Sequence, residues 1–164
     1  MIRPIRSLSA IAVLALAVAT PTLTQASPSQ SNSASHTRTT HHLPTGGPSA
    51  RVFSFGVKGG TIRPWSVVLA LDGSITATGV TTSAQTLTTP QDTLNGLLAL
   101  ADAEGFFAMS KQIGCPGGGN PDVSARTIAI STSTGTKRVS VFGSCKAPFN
   151  QLYAVLQQIA GTNR

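Results

Sequence analysis

Beyond residue 50 apolar and polar positions alternate, and the alternation gives way twice to helical spacing. Within Val52–Val57, Phe53, Phe55 and Val57 share one face, as in a half-buried strand. Gly59–Gly60 and Pro64 interrupt the chain, after which Trp65, Val67, Leu69 and Leu71 fall together. Asp72–Gly73 is a hairpin signal, because the tight turn requires positive φ, and Ser74–Thr78 continues as the partner strand with Ile75 and Ala77. Residues 80–88 are rich in Thr and Ser and read as a loop. Thr89 as N-cap, Pro90 at the first helical position and Asp92 in the first turn then open a helix. Its apolar stripe is Leu94, Leu97, Leu98 and Ala101, and Gly105 stops it. Phe106, Phe107 and Met109 read as core plugs under its end. The stretch 110–122, with Cys115-Pro116-Gly117-Gly118-Gly119-Asn120-Pro121, reads as a loop. Two further strands follow, Val123–Ser131 with Ile128 and Ile130 and Lys137–Gly143 with Val139 and Val141, joined by a turn at Gly135. Pro148 opens a second helix with Phe149, Leu152, Leu156 and Ile159 on one stripe, ended by Gly161.

The order is strand, strand, strand, helix, strand, strand, helix. It predicts an α+β fold, an antiparallel four- to five-stranded sheet with two helices packed on one face, in the order βββαββα. The expected domain spans residues 51–162. Two different segments precede it. Arg3 and Arg6 introduce the apolar run Ala10–Ala19, which is too short to span a bilayer, where about 20 apolar residues are needed. Small residues at Thr24 and Ala26 complete a secretory signal peptide over residues 1–26. Residues 27–50 are dominated by Ser, Thr, Pro and Gly, with Leu43 the one large apolar side chain, and read as a disordered linker. All three histidines, His36, His41 and His42, lie in it.

Charge and cysteine content narrow the function. Twelve Lys and Arg oppose five Asp and Glu, a net charge of +7. The basic residues are scattered, with Lys137–Arg138 the one adjacent pair beyond residue 50, so the clustered stripe that nucleic-acid binding uses is not seen. In an exported chain, two cysteines read as one disulfide, Cys115–Cys145. Residues 51–162 contain no histidine, which removes Ser-His-Asp, Cys-His and His-metal arrangements. No lysine stands three residues after a serine, so the S-x-x-K dyad is also missing. Asp72 reads as a turn residue, Asp92 as a helix-start charge, Asp102 and Glu104 as a solvated helix face; Asp122 is the least explained, and a glycosidase would need a second carboxylate such as Asp72 facing it, which nothing in the sequence supports. These readings predict no catalytic residues, no metal site and no cofactor.

The leading strand running into Gly59–Gly60, the segment Leu97–Met109 closing a helix on Phe106–Phe107, and the hairpin 123–143 followed by a helix through Leu152, Leu156 and Ile159 resemble small exported bacterial α+β domains related to the emfourin-type inhibitors of thermolysin-like metalloproteases. The resemblance covers most of residues 51–160. It implies a protein partner, either a protease or an envelope component. The expectation is a secreted or envelope binding domain, extracytoplasmic and non-catalytic, with inhibition of a secreted metalloprotease as the alternative. The flexible loops 59–64 and 117–121 are the expected contact regions, with Gly60, Ile62 and Arg63 the candidate contacts. No membrane span is expected to remain after signal removal.

Overall fold

The computed structural model describes residues 40–116 and 123–162. The expected signal segment 1–26, the linker up to residue 39 and the loop 117–121 lie outside the described residues. Six strands, β1 (Arg51–Lys58), β2 (Trp65–Ala70), β3 (Ile75–Thr78), β4 (Gln112–Gly114), β5 (Ala125–Thr132) and β6 (Gly135–Phe142), form one sheet in the order β3-β2-β1-β5-β6-β4. Two helices, α1 (Pro90–Ala103) and α2 (Ala147–Ala160), complete an α+β fold.

The register explains why these segments pair. Phe53 stands opposite Leu69 and Ile130, and Phe55 opposite Val67 and Ile128, so the apolar faces of three strands coincide. Val139 opposite Ile128 extends the same face onto β6. A one-residue slip would turn every one of these side chains to the other side, so burial of this face fixes the register. A bulge between Arg51 and Phe53 lets Val52 also reach the core. The Asp72–Gly73 turn joins β2 to β3: Gly73 has φ +84, its N–H donates to the Ala70 carbonyl, and the Ser74 N–H donates to Asp72 Oδ1 at 2.9 Å.

Both helices start with proline in the first turn, after Thr89 and Lys146, and neither cap residue makes a side-chain capping bond. Helix α1 buries Leu94, Leu97, Leu98 and Ala101, the stripe its spacing predicts. Helix α2 buries Phe149, Leu152, Tyr153, Leu156 and Ala160. The two helices touch, and their buried side chains join the Phe53–Phe55 face of the sheet in one apolar cluster. Each large side chain removed from water there contributes about 1.5–3 kcal/mol before entropy is counted. Of the three expected core plugs, Phe106 and Met109 are buried beneath the end of α1, while Phe107 is half-buried at the edge of the core.

The sheet departs from the expectation in one place. It has six strands and is mixed, not four to five and antiparallel, because the stretch after α1 supplies β4, which pairs parallel with β6 through Gln112–Ser140, Ile113–Val141 and Gly114–Phe142. With three residues and a single large apolar side chain, β4 has no periodicity to detect. Its partner strand and the adjacent cysteine hold it in place. Residues 41–50, the end of the segment read as linker, run along the body. The His42 carbonyl accepts the Ser133 N–H, the Pro48 and Ala50 carbonyls accept those of Asp72 and Leu71, and Leu43 packs on the core. His41 stacks on Phe107 with centroids 3.7 Å apart, its Nε2 3.8 Å from Asp102. No helix among the described residues is long and apolar enough to cross a membrane.

Candidate functional site

Strand alternation that aims Phe53, Phe55, Val67 and Ile128 at the helices aims the intervening residues at the opposite side of the sheet. Ser54, Gly56 and Lys58 on β1, Ser66 on β2, Thr127 and Ala129 on β5, and Arg138 and Ser140 on β6 form that second face. Among the described residues no helix or strand lies over it. A shallow depression of about 390 Å³ runs across it, floored by Ser54, Gly56, Ser66, Thr127 and Ala129 and bounded by the two cations Lys58 and Arg138. The floor is low because its side chains are small, and Thr127 and Ser140 share a hydroxyl–hydroxyl hydrogen bond of 3.1 Å. Phe55 and Trp65 also border the depression, but their rings are buried on the core side, where both meet Tyr153. Phe142 lies half-buried at one margin of the face, in the row of Lys58 and Ala125.

The described acidic side chains lie away from this face, whereas cations occur on both sides of the sheet. Among the described residues no acidic side chain lines the depression. Asp92, Asp102 and Glu104 belong to α1 or its C-terminal cap on the helical side, and Asp72 lies in the β2–β3 turn. The Asp72 carboxyl titrates below its ordinary value because it accepts hydrogen bonds from Ser74. Asp122 is outside the described residues.

Gly60, Ile62 and Arg63 are all exposed in the β1–β2 connection, and Ile62 is the one large hydrophobic side chain that stands exposed among the described residues. The stems of this connection, Lys58 and Pro64, line the depression, so the loop and the open face form one continuous surface. The loop is marked in the sequence by its glycines, whereas no motif marks the face. The same alternation that identifies the core nonetheless specifies which residues point away from it.

At the β4 edge of the sheet, Cys115 and Cys145 are joined, with Cα atoms 5.5 Å apart, linking β4 to the start of α2. Arg126 braces this end from the core face. One guanidinium nitrogen donates to the Gly143 carbonyl at 2.6 Å and to Asn150 Oδ1 at 3.0 Å, and the group lies 5.6 Å from the Tyr153 ring centroid. Burial pushes the Tyr153 phenol up to about 12, against the opposing pull of Arg126. These contacts are structural: they hold the chain around the disulfide and leave the open face to solvent. No group of three His, Cys, Asp or Glu side chains placed to hold a metal ion occurs among the described residues. Compared with family models, curated proteins and solved structures, the chain matches none of them.

Proposed function

We propose that the chain is a non-catalytic binding domain acting outside the cytoplasm, secreted or in the cell envelope, and that it binds through the open face of its sheet and the adjoining loop 59–64. The observation that carries this reading is the depression bounded by Lys58 and Arg138 on a face that no described element covers. The disulfide supports an oxidising compartment, where such bonds persist. A floor built of paired strands also suits binding, since a preorganised surface loses little entropy on association. The test is retention of the mature domain on isolated envelope fractions at low salt, compared with Ser54→Tyr. Strands accept tyrosine well, so this change fills the depression without disturbing the fold. Retention by the parent and loss by the variant support the reading; equal retention of the two contradicts it.

A second reading, inhibition of a secreted thermolysin-like metalloprotease, is favoured by exposed Ile62 beside Arg63 on a projecting hairpin connection. An apolar side chain held out in this way is suited to a hydrophobic specificity pocket. Titration of a thermolysin-like protease with the domain and with Ile62→Ser tests it. Loss of hydrolysis with the parent only supports inhibition, and unchanged hydrolysis at micromolar domain contradicts it.

A further inference from the structure

We infer that the open face takes an extended acidic peptide segment, held by Lys58 and Arg138 acting as two separated anchors; this rests on the reading that the face is the docking surface.

Three features point to that occupant. The first is charge: among the described residues the titratable side chains bounding the depression, Lys58 and Arg138, are cationic, no carboxylate joins them in the lining, and Arg63 stands exposed on the adjoining loop. Mapped acids elsewhere in the body belong to α1, its cap or the β2–β3 turn, away from the face. The second is spacing. Arg138 stands opposite Ala129, which stands opposite Ser54, and Lys58 is four residues further along the strand of Ser54. With about 3.3 Å per residue along a strand and about 4.8 Å between strands, the two anchors are roughly 16 Å apart at their Cα atoms. An extended peptide covers that distance in four to five residues, so two carboxylates at that separation meet both cations. The third is the floor. Small side chains and the hydroxyls of Ser54, Ser66 and Thr127 leave room for a main chain and offer it hydrogen-bonding groups. A sugar ring, by contrast, is held by stacking on an aromatic face; Phe55 and Trp65 present their rings to the core, and Phe142 lies half-buried at the margin of the face, outside the lining of the depression. Separated charge pairs of this kind set orientation and on-rate, and they make binding depend on salt.

The experiment measures fluorescence anisotropy of the folded, disulfide-bonded domain with three labelled probes: a ten-residue peptide alternating Glu and Ser, its Gln–Ser counterpart, and a sulfated oligosaccharide of similar length. Variants are Lys58→Glu, Arg138→Glu, Ser54→Tyr and Lys146→Glu. The last makes the same charge change at the exposed cap of α2, away from the face. The acidic peptide is expected to bind more tightly than the Gln peptide and to weaken as salt rises. Each of Lys58→Glu and Arg138→Glu should weaken it at least tenfold, and Lys146→Glu less than twofold. Equal weakening by Lys146→Glu overturns the inference, because attraction would then be to net charge alone. So does absence of peptide binding at millimolar concentration, or preference for the oligosaccharide. If Ser54→Tyr abolishes retention on envelope fractions but Lys58→Glu and Arg138→Glu do not, the face remains the docking surface and the acidic peptide is the wrong partner. Retention unaffected by Ser54→Tyr removes the docking face itself.

Discussion

Breaking the Cys115–Cys145 bond should cost the body much of its stability and should loosen β4 first. The two cysteines are 30 residues apart in sequence. Opening a loop of that size returns chain entropy to the unfolded state worth ~3.6 kcal/mol at 25 °C. Domains of this size are stable by about 5–15 kcal/mol, so the bond supplies between a quarter and most of the total. For a body of about 120 residues, with an unfolding entropy near 2.1 cal/mol/K per residue, the loss corresponds to a Tm lower by roughly 14 °C. In urea, with an m-value of about 1.8 kcal/mol/M, the midpoint falls by about 2 M. The loss is not evenly spread. Strand β4 has one strand partner, over three residues, plus the Cys115 N–H donating to the Phe142 carbonyl at 2.9 Å. Without the sulfur link it has the least holding it. Urea unfolding of the oxidised domain, the reduced domain and Cys115→Ala/Cys145→Ala should show the two unlinked forms agreeing, both far below the oxidised one. Hydrogen exchange on the reduced form should accelerate at Gln112–Gly114 before it does in β1 or β5. If reduction moves the midpoint by less than the equivalent of ~0.5 kcal/mol while the double alanine variant is strongly destabilised, the cross-link argument fails and the effect belongs to a packing void at Cys115, which is 8% exposed.

Three further outcomes follow from buried contacts. Tyr153 is the one tyrosine of the chain, so its phenolate absorbance reports a single site; it should titrate near 12, and stability should fall as pH rises between the free value of 10.0 and that midpoint, because the unfolded chain gives up the proton first. A midpoint near 10 contradicts the burial argument. Gly56→Ala places a methyl group against the Trp65 carbonyl oxygen and 2.8 Å from Ser66 Cα, both backbone atoms of the neighbouring strand β2; the expected cost is about 1–3 kcal/mol in urea unfolding, and an unchanged midpoint would show that β1 and β2 can separate. Arg126→Met leaves the Gly143 carbonyl and Asn150 without their donor, an expected loss of about 3 kcal/mol by the same assay; a loss under ~0.5 kcal/mol would mean that the guanidinium does not brace the disulfide end.

Much of the body was legible because burial on one side leaves a strict period. The alternation at Phe53–Phe55 and Val67–Leu69 and the stripe Leu94–Leu97–Leu98–Ala101 each placed the right residues in the core. Punctuation was equally readable: the turn at Asp72–Gly73, the prolines in the first helical turns and the glycine closing α2 stand where the pattern required them. Strand β4 was hidden because three residues cannot display a period and because its parallel pairing depends on a strand more than twenty residues away. The docking of His41 and Leu43 was hidden for a related reason. Single side chains in a polar stretch carry no pattern, and their burial comes from Phe107 and the core they meet in the fold. Of the candidate site, the glycines and proline of loop 59–64 were visible as chain breaks. The anchors Lys58 and Arg138 looked like scattered surface charge, since only the register across β1, β5 and β6 brings them to one face.

Docking on the side of the sheet that the helices leave open, as proposed, has a residue-level signature. Chemical-shift mapping of the isotope-labelled domain during titration with the alternating Glu–Ser peptide reads it. The largest shifts are expected on Ser54–Lys58, Thr127–Ala129 and Arg138, with smaller ones in loop 59–64. Shifts concentrated on α1, on α2 or around Cys115 and Cys145 would contradict it.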